Sequence, residues 1–107
     1  MRRTYTKRLM FFRMKKSLTH EEFARYWVTT HAELCKKLPG VKRYSVNLID
    51  RAKFADLDYD GFSELWFDTE HDFERAMRTS EGIAVLADLP NFTDGIYQMS
   101  AVEHPVM

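Results

Sequence analysis

The segment from Thr19 to Gly40 carries a start signal, an apolar stripe and a stop signal for one helix, and what flanks it on both sides reads as strand. Thr19-His20-Glu21-Glu22 is a capping box. The Thr19 hydroxyl is placed to accept from the Glu22 amide, and the Glu22 carboxylate to accept from the Thr19 amide. Acidic residues in the first turn also suit the helix dipole. Phe23, Trp27, Leu34 and Leu38 follow at spacings of four, seven and four, which makes a buried stripe. Thr30 and His31 fall on that stripe between Trp27 and Leu34. Lys36 and Lys37 near the end, then Pro39-Gly40, predict that the helix stops at about Leu38.

Before this helix, Lys7 to Met14 alternates as a strand, with Leu9, Phe11 and Arg13 on one face and Met10, Phe12 and Met14 on the other. With both faces apolar except at Arg13, it is expected to be covered on both sides. After the helix, Val41 to Ile49 reads as a second strand, with Tyr44, Val46 and Leu48 sharing a face. Asp50 to Asp60 is an irregular polar link of a length that permits a lid. Gly61 to Phe67 is a third strand, in which Phe62, Glu64 and Trp66 alternate with Ser63, Leu65 and Phe67. A second helix is expected from about Glu70 to Thr79, capped by Asp68 or Thr69. A further helical piece spans Ser80 to Ala87, with Ile83, Leu86 and Ala87 inward. Asp88 to Thr93 reads as a loop, and Asp94 to Glu103 as a last strand. The order βα-ββ-αβ predicts an α+β, ferredoxin-like βαββαβ domain over residues 1–107, with a four-stranded antiparallel sheet and the helices on one face. The other face would then expose a large apolar surface. Two such sheets packed face to face as a homodimer would bury it.

Sixteen Lys and Arg against sixteen Asp and Glu leave no net charge, which argues against a nucleic-acid partner. An apolar fraction of 45% is too high for a disordered chain. No apolar run is long enough for a membrane span, and the basic opening does not read as a secretory signal, so a cytoplasmic protein is expected. The single cysteine, Cys35, excludes an internal disulfide framework. With no glycine-rich phosphate loop, no HExxH and no CxxC, neither a cofactor nor a metal is expected.

Among residues that carry chemistry, His31 comes first, because imidazole is the usual proton-transfer group near neutrality. It equally suits a partly buried histidine bonded to a neighbour. Tyr44 is a phenol suited to donating to a developing oxyanion, or simply a core tyrosine. Glu64, between Phe62 and Trp66 on an otherwise apolar face, is a carboxylic acid of shifted pKa, a partner for Arg13, or a dimer contact. His31 and Cys35 supply only two ligands, too few for zinc. His20, His71 and His104 read as solvent-facing.

Several stretches in order resemble the EthD family of dimeric α+β barrels. They are Ser17 to Trp27, His31 to Leu34, Leu38 to Tyr44, Tyr59 to Asp68, Ala87-Asp88 and Asn91 to Asp94. The family is similar to methylmuconolactone methylisomerase and to small polyketide cyclases and dehydratases. The resemblance puts His31 and Tyr44 on functional positions and matches Asp94 to an acidic position of the closing motif. It also places Leu65 where the isomerase has a cysteine. The resemblance thus implies a cofactor-independent enzyme acting on an aromatic, lactone or polyketide-like metabolite, as an isomerase, cyclase/dehydratase or cofactor-free oxygenase. His31, Tyr44 and Asp94 would be its working residues. Its pocket would lie between helix and sheet, lined by Phe23, Trp27, Phe62, Glu64 and Trp66 or their face-mates. The alternatives are an accessory protein that binds a hydrophobic metabolite for a partner oxygenase, or a dimer whose core is filled by Trp27, Tyr44 and Trp66.

Overall fold

The computed structural model describes residues 4–107. In chain order the elements are β1 (Tyr5–Met14), α1 (His20–Tyr26), a π turn (Trp27–His31), α2 (Ala32–Cys35), β2 (Arg43–Leu48), β3 (Gly61–Phe67), α3 (Glu70–Met77), α4 (Ser80–Asp88), a 3-10 turn (Leu89–Asn91) and β4 (Thr93–Glu103). The strands make one four-stranded sheet in the order β2-β3-β1-β4, and every neighbouring pair is antiparallel. This is the ferredoxin-like α+β arrangement that the element order implied, with the helices against one face.

The strand period of two sorts the side chains between the faces. Met10 and Phe12 of β1, with Ser63, Leu65 and Phe67 of β3, face the helices and pack with Phe23, Trp27, Leu38, Phe73, Val85 and Phe92. Leu9, Phe11, Phe62, Glu64 and Trp66 lie on the other face, which no element among the described residues covers. β1 is therefore covered on one side only within the chain.

The capping box at Thr19 is present with both bonds, 3.1 Å from the Glu22 amide and 2.9 Å to the Glu22 carboxylate. The helix it starts does not run unbroken to Leu38. It passes through the π turn and ends at Cys35, with Leu38 buried just beyond it. Thr30, expected on the buried stripe, is exposed on the outer side of that turn. The fourth helix also differs in phase. Gly82, Val85 and Asp88 point inward, whereas Ile83 is 60% and Leu86 47% exposed. Thr79 caps it by accepting from the Gly82 amide. A Cβ on Gly82 would stand 2.4 Å from the Ala76 carbonyl oxygen, so this face is the one bare enough to lie against the end of α3. Asp88, expected in a loop, closes α4.

Glu64 is paired, but with Lys7 at 2.9 Å and not with Arg13. The register explains this: Glu64 lies opposite Leu9, while Arg13 lies beyond the last β1–β3 pair, Phe12 with Gly61. Arg13 donates instead to the Asp58 carbonyl. Ser45 and Asn47 add hydrogen bonds to the same Glu64 carboxylate at 3.1 and 3.2 Å. Those bonds and Lys7 hold its pKa below the ordinary value although burial pushes it up.

Candidate active site

His31 ends the π turn and is 2% exposed, its ring set between Phe92, with centroids 4.7 Å apart, and the edge of Phe12 at 6.2 Å. Its Nδ1 lies 2.8 Å from Oδ2 of Asp88. The other Asp88 oxygen accepts from the Tyr26 hydroxyl at 2.5 Å and from Asn91 Nδ2 at 2.9 Å. Three donors from three elements therefore converge on one carboxylate. Burial pushes the Asp88 pKa up, but these bonds outweigh it and hold it below the usual carboxylate range. Burial also lowers the His31 pKa below 6.5, more than Asp88 raises it. The pair at neutral pH is an ionised carboxylate beside a neutral imidazole. Its Nδ1–H donates to Asp88, which leaves the Nε2 lone pair as the base. Nε2 has no hydrogen bond among the described residues.

Tyr44 projects from β2 to the same side of the sheet. Its hydroxyl is enclosed between the Trp27 indole N–H and the Cys35 thiol, without a hydrogen bond of good geometry to either, and the Trp27 N–H is likewise unpartnered. An enclosed polar group without a partner costs about 1–3 kcal/mol, so two side by side need a reason. Burial raises the Tyr44 pKa far above 10.0, which keeps the phenol protonated and a donor. Burial also pushes the Cys35 thiol up to about 11, so it is no thiolate nucleophile. The Asp88 charge adds to that rise, while the Tyr44 hydroxyl opposes it.

Of the expected pocket residues, Phe23 and Trp27 stand on the His31 side, with their rings 5.3 Å apart. Phe62, Glu64 and Trp66 do not: strand alternation puts them across the sheet, where Phe11 stacks on Phe62 at 5.1 Å and the Arg43 guanidinium sits 4.8 Å over Trp66. One pocket within a single chain cannot contain both groups. Asp94 is exposed at the start of β4 and makes no contact with His31, where the carboxylate is Asp88. Asp88 left a trace in the sequence, since it shares an i, i+3, i+6 stripe with Gly82 and Val85. A carboxylate on the inner stripe of an apolar helix requires a buried partner. A cleft of about 420 Å³ lies between α1 and the end of β2, lined by Phe23, Ala24, Leu48, Ile49, Arg51 and Asp60 among others. A second, of about 340 Å³, is lined by Leu89, Pro90, Thr93, Asp94, Gly95 and Ile96. Neither is lined by His31 or Tyr44. Among the described residues no cluster of three or more His, Cys, Asp or Glu is placed to hold a metal ion, and no helix is long and apolar enough to cross a membrane.

The EthD domain model matches residues 15–96, which spans α1 through the start of β4 and so includes His31, Tyr44 and Asp88. The chain belongs to the EthD domain family. Among solved structures, this EthD protein is similar to an ethyl tert-butyl ether d (EthD) family protein from Bacillus halodurans, with 24% identity over 94% of this chain and 99% of the other and a TM-score of 0.80. A dimeric ferredoxin-like protein of unknown function from Thermobifida fusca matches with 17% identity, coverage of 95% and 93%, and a TM-score of 0.74. The hydroxynitrile lyase of Passiflora edulis matches with 12% identity, 96% of each chain and a TM-score of 0.76. At these identities the likeness shows the fold alone. No curated protein matches the sequence significantly.

Proposed function

We propose that this EthD protein is a small cofactor-independent enzyme that moves a proton on a small cyclic or aromatic carbonyl or lactone metabolite, in a degradative or secondary-metabolite pathway. The observation that carries the reading is the buried His31–Asp88 pair. Asp88 fixes one tautomer, burial keeps the ring neutral, and Nε2 is left to take a proton from carbon beside a carbonyl. As that C–H bond breaks, its electron pair moves onto the carbonyl oxygen, and Tyr44 donates to the oxyanion formed. The imidazolium then returns the proton, to another carbon in an isomerisation or to a departing hydroxyl in a dehydration. Phe23 and Trp27 supply apolar walls that exclude water. That a protein of similar fold is a hydroxynitrile lyase supports small-molecule chemistry on this scaffold. The chain works as a homodimer whose open sheet faces meet. In that assembly Phe62, Glu64 and Trp66 line the interior between the subunits and not the His31 site.

Deuterium uptake in heavy water tests this without a known substrate. A panel of small aryl ketones and lactones is incubated with protein, and exchange beside the carbonyl is followed by mass spectrometry. The wild type is expected to exchange at least one class, His31→Ala to fall to background, and Asp88→Asn to lose roughly a hundredfold. A His31→Ala variant as active as the wild type would sink the reading.

One observation favours a second reading, a carrier of a hydrophobic metabolite: the apolar cleft of about 420 Å³ is lined by Phe23 but not by His31. A carrier would bind members of the panel with no exchange, and His31→Ala would leave that binding unchanged.

A further inference from the structure

Thr29 is exposed, faces away from the sheet and touches nothing in the core, yet its hydroxyl donates to the Arg25 carbonyl at 2.5 Å. In a regular helix that carbonyl would serve the amide of residue 29, and the π turn of Trp27–His31 follows directly. At the end of the turn the Ala32 amide is shared between the Thr29 carbonyl and the Trp27 carbonyl, the latter five residues back. Val28-Thr29-Thr30 is a run of three β-branched residues, all poor helix formers, and the two threonine hydroxyls compete for backbone acceptors. All three are exposed, so packing does not account for them.

The helix geometry shows what the turn achieves. Each step of four residues in an α-helix overshoots one revolution by about 40°. Phe23, Trp27, His31 and Cys35 would fan through about 120° if the helix were regular. They are instead 1%, 0%, 2% and 3% exposed, all on the sheet side. A π turn uses more residues per revolution and cancels the drift at the residue that carries the imidazole.

We propose that Thr29 is a positioning residue of the His31 site: its bond to the Arg25 carbonyl holds the π turn that aims the imidazole at Asp88. This rests on the reading of His31 as the working base only for what the aiming serves. The groups that meet the His31 ring are Asp88 from α4, Phe12 from β1 and Phe92 after the 3-10 turn. Of these, only Asp88 carries charge at neutral pH.

Three variants of the full chain test it: Thr29→Val, isosteric without the hydroxyl; Thr29→Ser, which keeps it; and Thr30→Val. The Thr30 hydroxyl makes no hydrogen bond among the described residues. The readout is the His31 ring by nuclear magnetic resonance in the ligand-free protein, assigned with His31→Gln. The wild type, Thr29→Ser and Thr30→Val are expected to share a slowly exchanging Nδ1 proton signal and a common titration midpoint. Thr29→Val is expected to lose that signal and shift the midpoint while still unfolding cooperatively. Any deuterium exchange found for the wild type should drop by roughly a hundredfold in Thr29→Val, the scale of an ångström of misplacement. A Thr29→Val protein with the wild-type His31 signal and midpoint overturns the proposal, as does a Thr30→Val protein that loses them equally. A wild type without exchange activity would instead end the enzymatic reading, since the ring signals do not depend on turnover.

Discussion

Removing the His31 imidazole from water disfavours its cation, whereas the Asp88 carboxylate at 2.8 Å favours it, and burial is the larger effect. The sign then sets two pH dependences. The basic form of His31 predominates at neutral pH, so a proton-abstraction rate should rise with pH through a midpoint below 6.5 and flatten above it. Between that midpoint and 6.5 the unfolded chain binds the proton that the folded chain refuses. Stability therefore falls as pH drops through this window, and the lowered Asp88 pKa takes away more in stronger acid. Asp88→Asn keeps an acceptor for Nδ1–H but removes the charge that favours imidazolium, so the His31 midpoint should move lower still. Titration of the ring signal in both proteins checks this. A wild-type midpoint above 6.5 would show that the carboxylate outweighs burial, and one that rises in Asp88→Asn would show that the carboxylate does not favour the imidazolium.

The elements that hold this pair depend on one bare stretch of backbone. Gly61 begins β3 where the Trp27 ring crosses it, and a Cβ there would lie 2.5 Å from the ring and 2.7 Å from the Asn47 carbonyl oxygen. Neither neighbour can yield freely, because Trp27 is 0% exposed and packs on Phe12 and Phe23. Gly61→Ala should therefore cost about 1–3 kcal/mol. Thermal unfolding would register that as a fall of several degrees in Tm, and an unchanged Tm would mean that Trp27 has room to move. What was legible in the sequence follows from the same physics. The capping box, the stripe of Phe23 and Trp27 and the alternation of β3 are local patterns, and each is present. The π turn was not legible, because a threonine hydroxyl bonded four residues back leaves the apolar spacing unchanged. The phase of α4 was missed because Ile83 and Leu86 outweigh Gly82 in hydrophobicity, whereas contact with α3 selects the residue without a side chain. Asp88 meets His31 across 57 residues of chain, a distance that no local spacing reveals, whereas Asp94 stands out only through the resemblance.

At the scale of the molecule the protein is a slab of 43 × 35 × 19 Å, two layers thick, with one face of its sheet open. Its radius of gyration, 14.2 Å, exceeds the roughly 13 Å of a compact chain of this length. β4 is the element most open to solvent. It lies at the sheet edge with side chains exposed on both faces, among them Tyr97 at 53% and Met99 at 40%. On the open face, Tyr97 and Met99 lie opposite Phe11 and Leu9, which in turn border Phe62 and the Glu64 cluster. A charged group in such a patch is tolerated in water and costly between two sheets, unless it is already partnered. Glu64 meets that condition within one chain, through Lys7, Ser45 and Asn47, so a second copy could cover it without stranding a charge. Met99→Glu has no such partners. It should leave the single chain folded, since the side chain is solvated there, while placing an unpaired carboxylate in the interface of the proposed dimer. Sedimentation should find the wild type as a dimer and Met99→Glu as a folded monomer with native circular dichroism. A monomeric wild type, or a Met99→Glu protein that stays dimeric, would mean that the open sheet face is not where two copies meet.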